Sequence, residues 1–261
     1  MNKLLAIDIG NTNITAGLFK GKKLVKKTKI PTNVYSLYTR RMKALIKEAN
    51  LKVEHIEDII ISSVVPLALA RLIVELRRMI KPKITILGKD LKVPIRNMYR
   101  IKSEVGQDRL VNAYAAKMLY GAPAVIVDFG TAITFDIVSR EGDYLGGLIL
   151  PGIELSLSSL YRNTALLPKV ELKLTSSIIG KDTVNSMRGG ILFGFGVLCD
   201  GLSAQYKKIL GPSVKVIATG GNAKLIKRYA KSIQIIDEDL TLKGLRIISR
   251  ILHPINPKNN A

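Results

Sequence analysis

One cysteine, two histidines and no tryptophan occur in 261 residues, and each scarcity closes off a class of function. Cys199 has no partner for an intramolecular disulfide, and with only His55 and His253 beside it there is no zinc-type ligand set. It adjoins the apolar run Ile191 to Leu198 with no His near it in sequence, which reads as a buried structural thiol rather than a nucleophile. Aromatic residues make up 5% of the chain, which weakens the case for a base-stacking platform. Uninterrupted apolar runs are also missing. The longest candidate, Leu145 to Leu160, carries Gly146, Gly147, Pro151, Gly152 and Glu154, so no stretch offers the roughly 18 apolar residues of a membrane span. The opening run Met1 to Ile7 is stopped by Asp8 before it reaches the length of a secretory signal, and the chain reads as cytoplasmic. Acidic residues are few, 20 against 41 Lys and Arg, for a net charge of +21 and a pI near 10.0.

What is present is a folding chain: 47% hydrophobic and 23% charged residues suffice for one large core or two smaller lobes. Six lysines fall between Lys20 and Lys29, with a second basic cluster at Arg40, Arg41 and Lys43. They read first as a solvated face, second as a funnel for nucleotide, and last as a nucleic-acid surface; no specific nucleic-acid partner is expected.

Lys3 to Ile9 and Ile14 to Phe19 read as strands, followed by a Gly21-Lys22 turn and an alternating stretch from Leu24 to Ile30. Helical patterning covers about Tyr35 to Ala49, then a strand Asp58 to Val65, a helix from Pro66 to about Ile80, and a strand Ile84 to Leu87. Alternation of this kind is α/β. Shifted by 120 residues, the chain matches itself: Leu4-Leu5-Ala6-Ile7-Asp8-Ile9-Gly10-Asn11-Thr12 falls on Ala124-Val125-Ile126-Val127-Asp128-Phe129-Gly130-Thr131-Ala132. Both copies are an apolar strand ending in Asp-x-Gly, a return strand, a Gly-containing turn and a third strand, the last being Asp143 to Leu150 in the second copy. A period that long means a duplicated domain. A third glycine turn, Thr219-Gly220-Gly221-Asn222, joins a strand to a helix near Ala223.

Phosphoryl transfer asks little covalent help of a protein; it needs donors around the phosphates, a metal ion and a group that orients the acceptor hydroxyl. Gly10-Asn11-Thr12-Asn13 after a strand can present successive N–H groups to a phosphate. Asp8 and Asp128 at strand ends are either turn residues or cation holders. No G-x-x-x-x-G-K-[ST] loop occurs, and no G-x-G-x-x-G opens a helix. In Gly106-Gln107-Asp108-Arg109, a helix from about Arg109 to Tyr120 leaves Asp108 at its N-cap, where capping and catalysis are level readings. Arg109 in a first turn is disfavoured by the dipole and suggests a bound anion.

Asp8-Ile9-Gly10-Asn11-Thr12, Gly106-Gln107-Asp108-Arg109, Asp128-Phe129-Gly130-Thr131-Ala132, Gly146-Gly147-Leu148-Ile149-Leu150-Pro151-Gly152 and Asp182-Thr183 occur in that order. The series resembles type III pantothenate kinases over residues 1 to about 222. The resemblance implies duplicated actin-like, ribonuclease H-like domains, with lobes 1–114 and 115–261 around a nucleotide cleft, and ATP-dependent phosphorylation of pantothenate at the start of coenzyme A synthesis. It implies Mg²⁺ with ATP, a monovalent cation (K⁺ or NH₄⁺) on Asp128, and a homodimer. ATP would be held by Asp8, Ile9, Gly10, Asn11, Thr12, Asn13, Ile14, Thr15 and Thr131. Pantothenate would be held by Tyr99, Gly106, Gln107, Asp108, Arg109 and Thr183, with Asp108 accepting the hydroxyl proton. Gln107 stands where the family commonly has Ala, and Lys102 where a Pro usually follows the tyrosine. The alternatives are a related kinase of a sugar or hydroxy acid, and a non-catalytic transcriptional accessory protein.

Overall fold

The computed structural model describes residues 3–252; His253, expected to be exposed and inert, lies outside them. The described residues form two compact units, the first from residues 3–94, 103–115 and 240–252, the second from residues 95–102 and 116–239. A single cut at 114/115 thus falls beside one change of unit, but the last helix belongs with the first unit and residues 95–102 with the second.

In the first unit β1 (Lys3–Ile9), β2 (Asn13–Lys20) and β3 (Lys23–Pro31) form an antiparallel meander. β4 (Asp58–Ser63) and β5 (Ile84–Ile86) extend it in parallel, in the order β3-β2-β1-β4-β5. β1 and β4 are covered on both faces, which is why they read as near-continuous apolar runs. On one face α1 (Tyr38–Glu48) and α2 (Pro66–Met79) set Met42, Leu45, Leu72 and Leu76 against Leu5, Ile7, Ile9 and Ile61. Each such buried side chain contributes roughly 1.5–3 kcal/mol before ordering entropy is counted. The expected helix from Tyr35 opens instead as a 3₁₀ turn, Tyr35–Leu37. The expected strand to Val65 stops at Ser63, whose Oγ accepts the Val65 N–H at 3.1 Å and turns the chain toward α2. The exposed lysines Lys23, Lys26, Lys27 and Lys29 line β3, an edge strand, and so guard that edge against pairing with another chain.

The other face of this sheet takes α7 (Leu240–Ser249), which packs on β1, β2 and β4. Glycine makes the approach possible: a Cβ at Gly17 would stand 2.8 Å from Leu242 Cδ1. α3 (Gln107–Tyr120) contributes its residues up to Ala115 to this unit, and a Cβ on Gly244 of α7 would meet its Val111 at 2.7 Å.

The second unit repeats the plan. β6 (Ala124–Phe129), β7 (Ala132–Val138) and β8 (Tyr144–Pro151) form the meander, and β9 (Lys215–Thr219) and β10 (Ile235–Ile236) add in parallel, in the order β8-β7-β6-β9-β10. The duplication visible in the sequence is therefore a duplicated α/β, ribonuclease H-like strand order. Around this sheet stand α4 (Ile153–Arg162), α5 (Thr183–Leu210) and the single turn α6 (Ala223–Ile226). Asp182 caps α5, its carboxylate accepting the Asn185 N–H at 2.8 Å. Cys199 is buried in this core with Phe135 and Leu192, and burial pushes its thiol pKa up, as a structural thiol requires. No helix among the described residues is long and apolar enough to cross a membrane.

Candidate active site

In the first unit the turn after β1 is built from its own backbone and fastened from behind. Gly10 N–H donates to the Asn13 carbonyl at 3.0 Å, and a Cβ on Gly10 would meet only that carbonyl oxygen, at 3.3 Å. Thr32 donates its N–H to the Thr12 carbonyl (3.0 Å) and its hydroxyl to the Gly10 carbonyl (2.8 Å). The buried Tyr38 hydroxyl in turn donates to the Thr32 carbonyl at 2.6 Å. The loop's carbonyls are thereby drawn to the protein side while the side chains of Asn11, Thr12 and Asn13 stand exposed. Ile9 and Ile14, expected among the nucleotide residues, have their side chains wholly in the core, so only their backbone is available to a ligand. Thr32 was not foreseen; after Pro31, a lone threonine at a strand end carries no signal in the sequence.

The Gly106 to Arg109 segment lies in the same unit, next to that turn. Val64 links them: its N–H donates to the Ile9 carbonyl at 3.1 Å, and its side chain would be 3.5 Å from a Cβ on Gly106. α3 starts at Gln107, two residues before the expected start, so Asp108 sits inside the first turn and not at the N-cap. The reason is local: the Leu110 N–H reaches the Gly106 carbonyl, closing the first turn two residues early. Asp108 Oδ1 accepts the Arg109 N–H at 2.8 Å. Glycine at 106 leaves room for this carboxylate, since a Cβ there would fall 2.5 Å from Oδ1 and push Asp108 out of place. Burial raises the Asp108 pKa above the ordinary aspartate value, outweighing the Arg109 N–H bond and the Arg109 charge, which pull it down. Arg109 is 7% exposed, a cation withdrawn from water in a turn where the dipole disfavours it. Gln107 lies across Gly88, whose φ of +82° and missing Cβ leave room for it; a Cβ would be 2.9 Å from Gln107 Cδ. That accommodates the departure from alanine.

The second unit holds the remaining candidates. Asp128 is half-buried at the end of β6, its carboxylate hemmed by two glycine turns. A Cβ on Gly220 (φ +87°) would collide with Asp128 Oδ1, and one on Gly130 would stand 3.5 Å from it. Thr131 is exposed; its carbonyl accepts the Gly152 N–H at 3.1 Å, and any side chain at 152 would run into the Gly130 and Thr131 carbonyls. The Pro151-Gly152 pair is thus a close approach and not only a bend. Tyr99 is half-buried and lies on Gly146 (φ +115°), where a Cβ would be 3.2 Å from its ring. Asn97 holds that segment, accepting the Tyr99 N–H at 2.9 Å and donating to the Lys102 carbonyl at 3.3 Å. Thr183 is exposed at the start of α5. Among the described residues no three His, Cys, Asp or Glu side chains come together as a metal-binding group.

Comparison with known proteins gives a consistent picture. The family model for type III pantothenate kinase matches residues 4–205. A type III pantothenate kinase of Syntrophus aciditrophicus is 44% identical over 248 residues, 94% of this chain and 98% of that protein. Among solved structures, a Sinorhizobium meliloti protein described as a 2-dehydro-3-deoxygalactonokinase superposes with a TM-score of 0.61 at 12% identity, covering 99% of each chain. A Campylobacter jejuni protein described as a Baf family transcriptional activator superposes at 0.57 with 21% identity, covering 95% of this chain and 98% of its own. Likeness at those identities shows the fold alone.

Proposed function

The chain belongs to the type III pantothenate kinase family, an ATP-dependent phosphotransferase family acting on the alcohol group of pantothenate, and from that premise we propose how its residues divide the work. Asp108 receives the proton of the pantothenate hydroxyl as that oxygen bonds to the γ-phosphorus of ATP and the bond to the β–γ bridging oxygen breaks, releasing ADP. The observation that carries this role is the half-buried Asp108 carboxylate with its raised pKa, seated beside Gly106 next to the β1 turn. A carboxylate made more basic by burial is a better proton acceptor near neutral pH. Arg109 supplies a fixed positive charge for the substrate's carboxylate. Asp8 to Thr15 hold the phosphates, with Thr131 as a second nucleotide contact.

Mg²⁺ bound with ATP spreads the phosphate charge, and a site of this kind needs only one or two protein carboxylates beside the phosphates, which Asp8 satisfies. Asp128, a single half-buried carboxylate at two glycine turns, suits a monovalent cation such as K⁺ or NH₄⁺. Tyr99, Gly106, Gln107 and Thr183 complete the pantothenate site.

A homodimer is supported by one face of α5, where Cβ atoms at Gly190, Gly194 and Gly201 would meet nothing within 4 Å and Val197 is exposed. Light scattering should then give twice the chain mass of 28.7 kDa; a monomer with full turnover would refute it. For the activity, a panel of hydroxylated small molecules with ATP and Mg²⁺, read by ADP release, should single out pantothenate. Equal or faster turnover of a sugar would overturn the substrate assignment.

A further inference from the structure

Asp8 is flanked on both neighbouring strands by a hydroxyl. The register places Thr15 of β2 and Ser62 of β4 directly opposite it. Strand alternation puts all three on one face, since Ile7, Ile9 and Ile61 point into the core under α1 and α2. The same row recurs in the second unit, where Asp128 has Thr134 and Thr219 as its register partners. Thr15 belongs to the nucleotide loop already described. Ser62 does not, and it is unusual: it is 0% exposed and its Oγ has no hydrogen-bond partner. Among the described residues it is the one strand position with such an atom. A buried hydroxyl without a partner costs stability, and alanine at the same place would be neutral or better. An orphan of this kind, beside the aspartate of the phosphate loop, marks a group whose partner arrives with a ligand.

We propose that Ser62 is a positioning residue of the nucleotide site: its hydroxyl is satisfied when Mg·ATP binds, through a water of the hydrated ion that the Asp8 carboxylate also holds. The inference rests on the assignment of ATP to the Asp8 loop. A hydroxyl in this place orients Asp8 and the water without touching the reacting phosphorus. Losing a partner of that kind typically weakens metal binding 10–100-fold.

The test is calorimetric binding of ATP to the full chain, with Mg²⁺ and with EDTA, for wild type, Ser62→Ala and Ser62→Thr. Thr keeps the hydroxyl and already stands at the matching position of the second unit as Thr219. Ser62→Ala is expected to weaken Mg·ATP binding roughly tenfold, at the lower end of such losses. Its affinity for metal-free ATP should be unchanged and its melting temperature equal or higher, while Ser62→Thr restores the Mg²⁺ effect. Equal Mg·ATP affinity in Ser62→Ala overturns the proposal. So does a loss that is the same with and without Mg²⁺, or one that comes with a lower melting temperature, because those mark a structural role. Failure of the wild type to bind ATP at all would instead remove the nucleotide assignment, and the proposal with it.

Discussion

Both units wind the same five strands around an Asp-x-Gly turn, yet they surround the aspartate differently. In the first, the turn after Asp8 is open: Asn11, Thr12 and Asn13 are exposed, and the fastening by Thr32 comes from the protein side. In the second, Gly130 and Gly220 close on the Asp128 carboxylate, and Gly152 presses on the Gly130 and Thr131 carbonyls. One strand order therefore supports an open turn with exposed amide and hydroxyl side chains in the first unit and a carboxylate crowded by glycines in the second. Charge is divided in the same sense. Described residues of the first unit include 23 Lys and Arg against 9 Asp and Glu, a net of +14, whereas the second has 17 against 11, a net of +6. The unit with the open loop carries most of the positive charge, which favours the approach of nucleotide.

The largest effect expected is at Asp108, in the first unit. Asp108→Asn should lower kcat by roughly 10²-fold or more while the protein stays folded; a folded variant with near wild-type kcat would sink its role as base. The pH dependence carries a sign. Burial raises the native pKa, so the native state holds this proton more tightly than the unfolded chain, and stability from this group falls as pH rises through the window above the ordinary aspartate value. Asp108→Asn removes that cost and should melt no lower than wild type at neutral pH, the gap closing in acid. In wild type the acid limb of kcat should lie above the ordinary aspartate range, because the base must be ionised.

The contrast between the two turns is sharpened by the same substitution in each. Gly220→Ala forces a side chain into a left-handed residue and onto Asp128; it should cost of order 1–3 kcal/mol and reduce the advantage of K⁺ over Na⁺. Gly10→Ala meets one carbonyl at 3.3 Å and has no such backbone demand, so its melting temperature should change little while the KM for ATP rises. If both variants lose stability equally, the two turns are not built differently. The smallest effect is expected at the edge of the first sheet. Replacing Lys23 and Lys29 with Gln should change stability within about ±0.5 kcal/mol and leave the KM for pantothenate unaltered; a large change in either would make that face more than a guarded edge.

Much of the fold was legible because it is periodic and local. The matched stretches around Asp8 and Asp128 revealed the duplication, and the apolar runs of β1, β4 and β6 announced strands. Asp108 was legible as a candidate but misplaced by two positions, since a helix start depends on which carbonyl takes the first bond, and Gly106 takes it. α7 was assigned to the wrong unit by a single cut, because nothing local says which sheet an amphipathic helix will cover. Gln107 looked like a departure until Gly88, nineteen residues earlier, was seen to make room for it.

The sequence by itself determined the α/β class, the repeat and the set of reactive groups, because residue type and short-range spacing are enough to specify strands, turns and the chemistry of a carboxylate. Only the tertiary structure decided that Thr32 holds the β1 turn, that Gly152 and Gly220 are close approaches, that Ser62 is a buried hydroxyl without a partner, and that burial makes Asp108 more basic. Each of these is a distance between residues far apart in the chain, and desolvation, steric exclusion and hydrogen bonding depend on that distance and not on order along the sequence.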